Sequence, residues 1–261
     1  MCDASENESI TPNSVASVPT DLANSNPPWV YPLARRDETI VDDFHGTKLA
    51  DPYRWLEDPD SDETKEYVSK LNAVSTPFLQ TCPAREKIGE KLTELWNYEK
   101  FSNMRKHGSR YFYKYNSGLQ NQHVLYMKES LQDDGKVFLD PNTLSDDGTV
   151  ALTALSFSHD GELLAYGISE RGSDWVTVKF MKIPSEEQLP DKLVKLRYTT
   201  LSWTIDNKGI FYTMFPEHKS EAVGTSTAKN EFHKLFYHVL GTDQSEDILC
   251  FDFPENANYM M

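Results

Sequence analysis

A chain of 261 residues with 41 Asp and Glu against 26 Lys and Arg carries a net charge of −15. That balance argues against nucleic acid and anionic membrane surfaces as partners, because both attract basic patches. No apolar run reaches the roughly 18 residues of a membrane-spanning helix, and Cys2, Cys82 and Cys250 are too few and too scattered for a disulfide framework or a zinc site. A reducing compartment, the cytosol, is the expected location.

Residues 1–28 are rich in Ser, Asn, Thr and Pro, and the first basic residue is Arg35. They offer neither the basic and apolar regions of a secretory signal nor the arginines of a mitochondrial transit peptide. They also cannot bury enough apolar surface to offset ordering, so 1–30 reads as a disordered extension. Ordered chain is expected from Tyr31-Pro32. Tyr53 and Trp55 then give a docking segment that ends in a turn, and Asp60 with Glu63 sets up a capping-box-like helix start. Tyr67, Leu71, Val74 and Phe78 share one helix face, with Pro77 as a terminator or kink. Ile88, Leu92, Leu95 and Trp96 mark a second helix after Pro83. Residues 31–97 hold little else for these stripes to pack on, so they imply a partner surface.

From about residue 98 the helical period gives way to the alternation of strands. Strands are expected over 110–115, 123–128, 136–139, 155–158, 162–168, 174–183, 195–203, 208–215 and 234–240, separated by Gly, Asp, Asn and Pro turns. The segment from Leu155 to Tyr166 recurs from Leu201 to Tyr212, 46 residues on, with Phe157 matching Trp203, Asp160 matching Asp206 and Tyr166 matching Tyr212. That period, in strands with no helix between them, marks the four-stranded blade of a β-propeller, and 98–261 suffices for about three and a half blades.

Complete catalytic apparatus is not legible. Gly224-Thr225-Ser226-Thr227-Ala228 has the outline of a nucleophile elbow, but polar loop replaces the strand and helix that would hold Ser226 on a strained turn. Ser226 is therefore read as a residue of a mobile surface loop over 216–230. The seven histidines form no ligand cluster. His233 and His238 flank a strand on opposite faces and read as surface or satisfied strand histidines. Asp146-Asp147 and Glu57-Asp58-Asp60 lie in turns, where Asp serves the backbone. No metal site and no cofactor motif is expected.

The wording of several segments carries a resemblance. Arg36-Asp37-Glu38-Thr39, Asp51-Pro52-Tyr53, Trp55-Leu56-Glu57-Asp58-Pro59-Asp60, Phe138-Leu139-Asp140-Pro141-Asn142, Gly172-Ser173-Asp174-Trp175-Val176-Thr177 and the stretch from Tyr237 to Cys250 resemble the prolyl oligopeptidase family. The resemblance runs over about 31–261. It implies cytosolic serine peptidases that cleave short peptides after proline, with an α/β-hydrolase domain covered by a propeller of about seven blades.

The fold class expected on that basis is mainly β. A partial seven-bladed β-propeller over 98–261 is preceded by a short helical segment, 31–97, of an α/β-hydrolase domain. The implied packing partner of the two helices is the rest of that hydrolase domain. The family's Ser, Asp and His lie beyond the propeller, so no catalytic residue is assigned within 1–261, and this chain is expected to be inactive alone. Two substrate-binding positions are implied: Tyr198, where Phe is usual, and Met260. The 216–230 loop matches one implicated in substrate entry, and the implied partners are short proline-containing peptides. Two other readings compete: a non-catalytic propeller interaction module, and a related enzyme of the same superfamily.

Overall fold

The computed structural model describes residues 30–215 and 230–261. The expected tail over 1–28 and the nucleophile-like Ser226 lie outside the described residues, as does all of the 216–230 loop except Asn230.

Near the start, β1 (Val41–Phe44) and β2 (Thr47–Ala50) form a hairpin that the sequence reading did not anticipate. Its turn is His45-Gly46, both at positive φ, with the Gly46 N–H donating to Asp43 Oδ1 at 2.7 Å. Two helices follow, α1 (Asp62–Gln80) and α2 (Arg85–Trp96). The cap of α1 is Ser61 rather than Asp60. Asp58 Oδ1 accepts the N–H groups of Asp60 and Ser61 and carries the turn one residue further, so that Ser61 Oγ accepts from Thr64 N–H. Glu63, expected to close the capping box, instead pairs with Arg35 at 2.7 Å. Ser61→Ala is expected to cost about 1 kcal/mol, read as a fall in the urea midpoint. Pro77 sits inside the last turn of α1 and does not end it. The stripe of α2 lies uncovered, with Ile88, Leu92, Leu95 and Trp96 all exposed, while on α1 Tyr67, Leu71 and Val74 are half-buried and Phe78 is exposed.

Three antiparallel sheets then succeed one another. The first contains β3 (Lys100–Phe101), β4 (Arg105–His107), β5 (Arg110–Asn116), β6 (Val124–Lys128) and β7 (Lys136–Leu139), with β3 and β4 both paired to β5. The second runs β8 (Ala151–Phe157), β9 (Leu163–Ser169), β10 (Trp175–Lys182), β11 (Gln188–Arg197). The third runs β12 (Leu201–Trp203), β13 (Gly209–Met214), β14 (Lys234–Val239), β15 (Ile248–Phe251). In the second and third sheets each strand pairs with the next in sequence, the meander of a propeller blade. Residues 252–261 follow as turns and extended chain.

Burial follows from the alternation of side chains along each strand. On β9, Leu164 and Tyr166 pack with Phe112, Leu125 and Met127 of the first blade, while Ala165 turns to the opposite core with Trp203, Ile210 and Tyr212 of the third. The middle blade is thus covered on both faces.

The residues of the 46-residue repeat mark the joints between blades. Phe157 stacks on His107 with ring centres 3.9 Å apart, and Trp203 Nε1 donates to the Ser156 carbonyl at 2.9 Å. Asp160 shapes its turn by accepting from Ser158 Oγ and from Glu162 N–H, and those donors hold its carboxyl below the usual carboxylate range. The two tyrosines reach outward, Tyr166 to Gln188 and Tyr212 to Asp247.

One expected strand is divided. The stretch 195–203 is the end of β11 and the whole of β12, broken where Tyr198 takes φ +51°. The chain there leaves the outermost strand of one blade for the innermost strand of the next. Tyr-Thr-Thr is a strand-favouring sequence without a turn residue, so the crossing left no local signal.

Candidate functional site at one end of the third blade

The crossover that breaks the strand also places Tyr198. Its ring is half exposed, and its hydroxyl lies 3.4 Å from Asp174 Oδ2. The Arg197 guanidinium sits 5.2 Å from the Tyr198 ring centre and 5.6 Å from that of Trp175. It is held there by Asp174 at 2.9 Å and by Asn230 Oδ1 at 3.2 Å. A left-handed backbone at an aromatic residue is uncommon. Here the flanking cation and the carboxylate fix the ring that results.

Behind Tyr198 stands Phe215, edge to face at 6.4 Å, and Phe215 stacks on His233 at 4.4 Å. The His233 ring is fully buried, and its Nδ1 accepts the Met261 N–H at 3.0 Å. That bond leaves the ring hydrogen on Nε2, which is buried without a partner. Burial pushes the imidazole down, toward its neutral form. A second tie runs from Phe232 N–H to the Ala257 carbonyl at 2.8 Å. Residues 252–261 are therefore drawn back along the start of β14.

Tyr198 is thus linked through Phe215 and His233 to the backbone of Met261, the residue after Met260, at one end of the third blade. Met260 is exposed beside Tyr259, whose ring packs on Phe253 at 5.1 Å. Around Tyr198 the arrangement offers an aromatic surface next to one arginine. His233 addresses a backbone N–H and a phenyl ring, so it is not set against a hydroxyl as a base would be.

Sequence reasoning missed Arg197, Phe215 and His233 as parts of this cluster. Their contacts are long-range, and no local pattern distinguishes them. His238 is satisfied, as expected of a strand histidine, but by groups not foreseen. It is fully buried, with Nδ1 2.7 Å from Asp247 Oδ1 and Nε2 3.2 Å from Asp191 Oδ1. Tyr212 donates to the same Asp247 at 2.8 Å, and burial beside that carboxylate keeps its phenol protonated, well above the usual tyrosine range. Among the described residues no cluster of His, Cys, Asp and Glu suits a metal ion, and no helix is long and apolar enough to cross a membrane.

The sequence profile described as "Prolyl oligopeptidase, N-terminal beta-propeller domain" matches residues 32–261. The chain belongs to the prolyl oligopeptidase family. It is 38% identical to a prolyl endopeptidase of Elizabethkingia meningoseptica, over 84% of this chain and 30% of that protein. It is 36% identical to a prolyl oligopeptidase of Omphalotus olearius, over 89% of this chain and 35% of that protein. Among solved structures, one from a study of two prolyl endopeptidases superposes with a TM-score of 0.76 at 30% identity, over 86% of this chain and 33% of that one. Prolyl oligopeptidase B of Galerina marginata, bound to a 35mer hydrolysis and macrocyclisation substrate, gives 0.72 at 29% identity, over 87% of this chain and 34% of that one. The chain spans about a third of the length of the relatives it matches. Its sheets correspond to part of the N-terminal propeller of these enzymes.

Proposed function

We propose that this chain is the propeller-bearing N-terminal part of a cytosolic serine endopeptidase that cleaves short peptides after proline. In the whole enzyme a serine made nucleophilic by histidine, itself oriented by aspartate, attacks the carbonyl carbon of the proline residue and expels the amine of the residue after it. The observation that carries this reading is the match across 32–261.

In this reading residues 31–97 belong with the hydrolase domain. The uncovered stripe of α2 supports it, since an exposed apolar helix face calls for a covering surface. Tyr198 and Met260 line the pocket for the substrate proline, with the Tyr198 hydroxyl kept wet or paired to Asp174. The free, exposed thiols of Cys82 and Cys250 fit a reducing compartment.

The 261-residue chain carries no triad of its own and is expected to give no turnover of a proline-containing chromogenic peptide. Hydrolysis above blank that a serine-directed inhibitor abolishes would sink that expectation. If instead the chain purifies as a monodisperse monomer that melts cooperatively, the non-catalytic interaction module becomes the better reading.

A further inference from the structure

Between the first and second blades lies a cleft of about 590 Å³ whose lining contains two cations and no carboxylate. Strand register explains how the cations come to be there. Arg105 pairs across β4 and β5 with Phe112, and Lys114 pairs across β5 and β6 with Leu125. Directly paired residues share a face, as do residues two apart along a strand. Arg105, His107, Phe112, Lys114 and Leu125 therefore all face the second blade, where Leu155 and Phe157 of β8 meet them. Blade faces are normally closed with apolar side chains, and a partly buried cation such as Lys114 is costly there unless an anion meets it, while Arg105 stands at the exposed mouth.

Neither cation has such a partner among the described residues. Arg35, Arg54, Arg110 and Arg197 each engage a carboxylate, as expected in a chain this acidic. Arg105 does not. Burial, with a smaller contribution from the Arg105 charge, pushes the neighbouring His107 toward its neutral form. Burial likewise depresses the Lys114 ammonium. The cleft is thus a positive recess in a protein of net charge −15. It lies where the first strands of two blades approach each other, the side on which a propeller keeps its axial channel.

We propose that this cleft is an anion subsite that takes the C-terminal carboxylate of a short peptide. Arg105 and Lys114 meet the carboxylate, and Phe112, Leu155 and Phe157 wall the side chain of the peptide's last residue. The volume is far more than one small anion fills and falls in the range of small-ligand sites. The Asn103 amide, also in the lining, suits the peptide group that precedes the carboxylate. The peptide as ligand rests on the peptidase reading above; the anion site rests on the cleft alone.

The test is calorimetric titration of the 261-residue chain with acetylated Gly-Pro-Phe as free acid, with its C-terminal amide, and with inorganic phosphate. The acid is expected to bind about tenfold or more tightly than the amide, and phosphate more weakly than the acid. Arg105→Gln and Lys114→Gln should each remove most of the preference for the acid and leave the amide unchanged. Equal binding of acid and amide overturns the proposal, as do phosphate binding as tight as the acid, no binding of the acid, and variants that bind like the parent. Circular dichroism and urea midpoints check that the variants fold. If Lys114→Gln does not, the exposed Arg105 decides the matter alone. Failure here leaves the peptidase reading standing, because that reading is judged by turnover.

Discussion

Replacing His238 by alanine is expected to lower the unfolding free energy by about 3–4 kcal/mol, among the largest losses available to a single substitution in this chain. The ring is fully buried and bridges two blades. Asp191 comes from β11 of the second blade, while His238 and Asp247 belong to the third. The side chains of Asp191 and Asp247 are 3% and 2% exposed. Each keeps one other donor, Gly241 N–H for Asp191 and the Tyr212 hydroxyl for Asp247. Without the imidazole, two carboxylates face an apolar void beside Phe180, whose ring lies 5.7 Å from that of His238. Uncompensated buried charge and lost packing act in the same direction. Urea titration reads the effect as a lower midpoint at unchanged slope. A loss below about 1 kcal/mol would show that the bridge contributes little to joining the blades.

Gly108→Ala is expected to cost about 3 kcal/mol, for a different reason. Gly108 has φ +57°, and a methyl there would lie 2.3 Å from the Asp160 carbonyl oxygen. The obstacle is backbone, which cannot swing aside as a flexible side chain could. Gly161 is the reciprocal case, with φ +74° and a Cβ position 2.6 Å from Gly108 N. Gly172 provides the control, since it has φ +72° and nothing within 4 Å. Gly172→Ala should therefore cost only the left-handed strain, about 1–2 kcal/mol. Equal losses at 108 and 172 would mean that the turn-to-turn contact does not hold the first two blades together.

The propeller was legible in the sequence because two of the three blades spell their inner hairpin in nearly the same words. Aromatic, Asp-centred turn and tyrosine do one structural task in each copy, which is why they recur. The first blade was harder to read. Its corresponding turn, His107-Gly108, has no Asp, and its inner strand is split between β3 and β4. β15 was missed because Ile248, Leu249, Cys250 and Phe251 are all exposed and show no alternation of burial. The helices were found from their apolar spacing, and the lack of nearby cover for α2 was foreseen from the shortage of apolar partners in 31–97. The assignment of Tyr198 and Met260 rests only on the resemblance. Nothing in the residues around Tyr198 marks its surroundings, because its contacts run through Phe215 to His233, far apart in sequence. The Asp191–His238–Asp247 bridge left no signal at all, since 47 residues separate its first two members.

The turns that open each blade touch in series. Gly108 rests on Asp160 and Gly161, and His159 donates its N–H to Asn207 Oδ1 at 2.9 Å. The first contact is main chain against main chain, and the second is main chain against a side chain. The angle between the first two blades is therefore set by atoms that every amino acid carries, provided glycine is kept. The matching turn contact between the second and third depends on the length and shape of one exchangeable residue. A lineage adjusting the width of its axial opening by point substitution would find that turn contact adjustable and the first nearly locked.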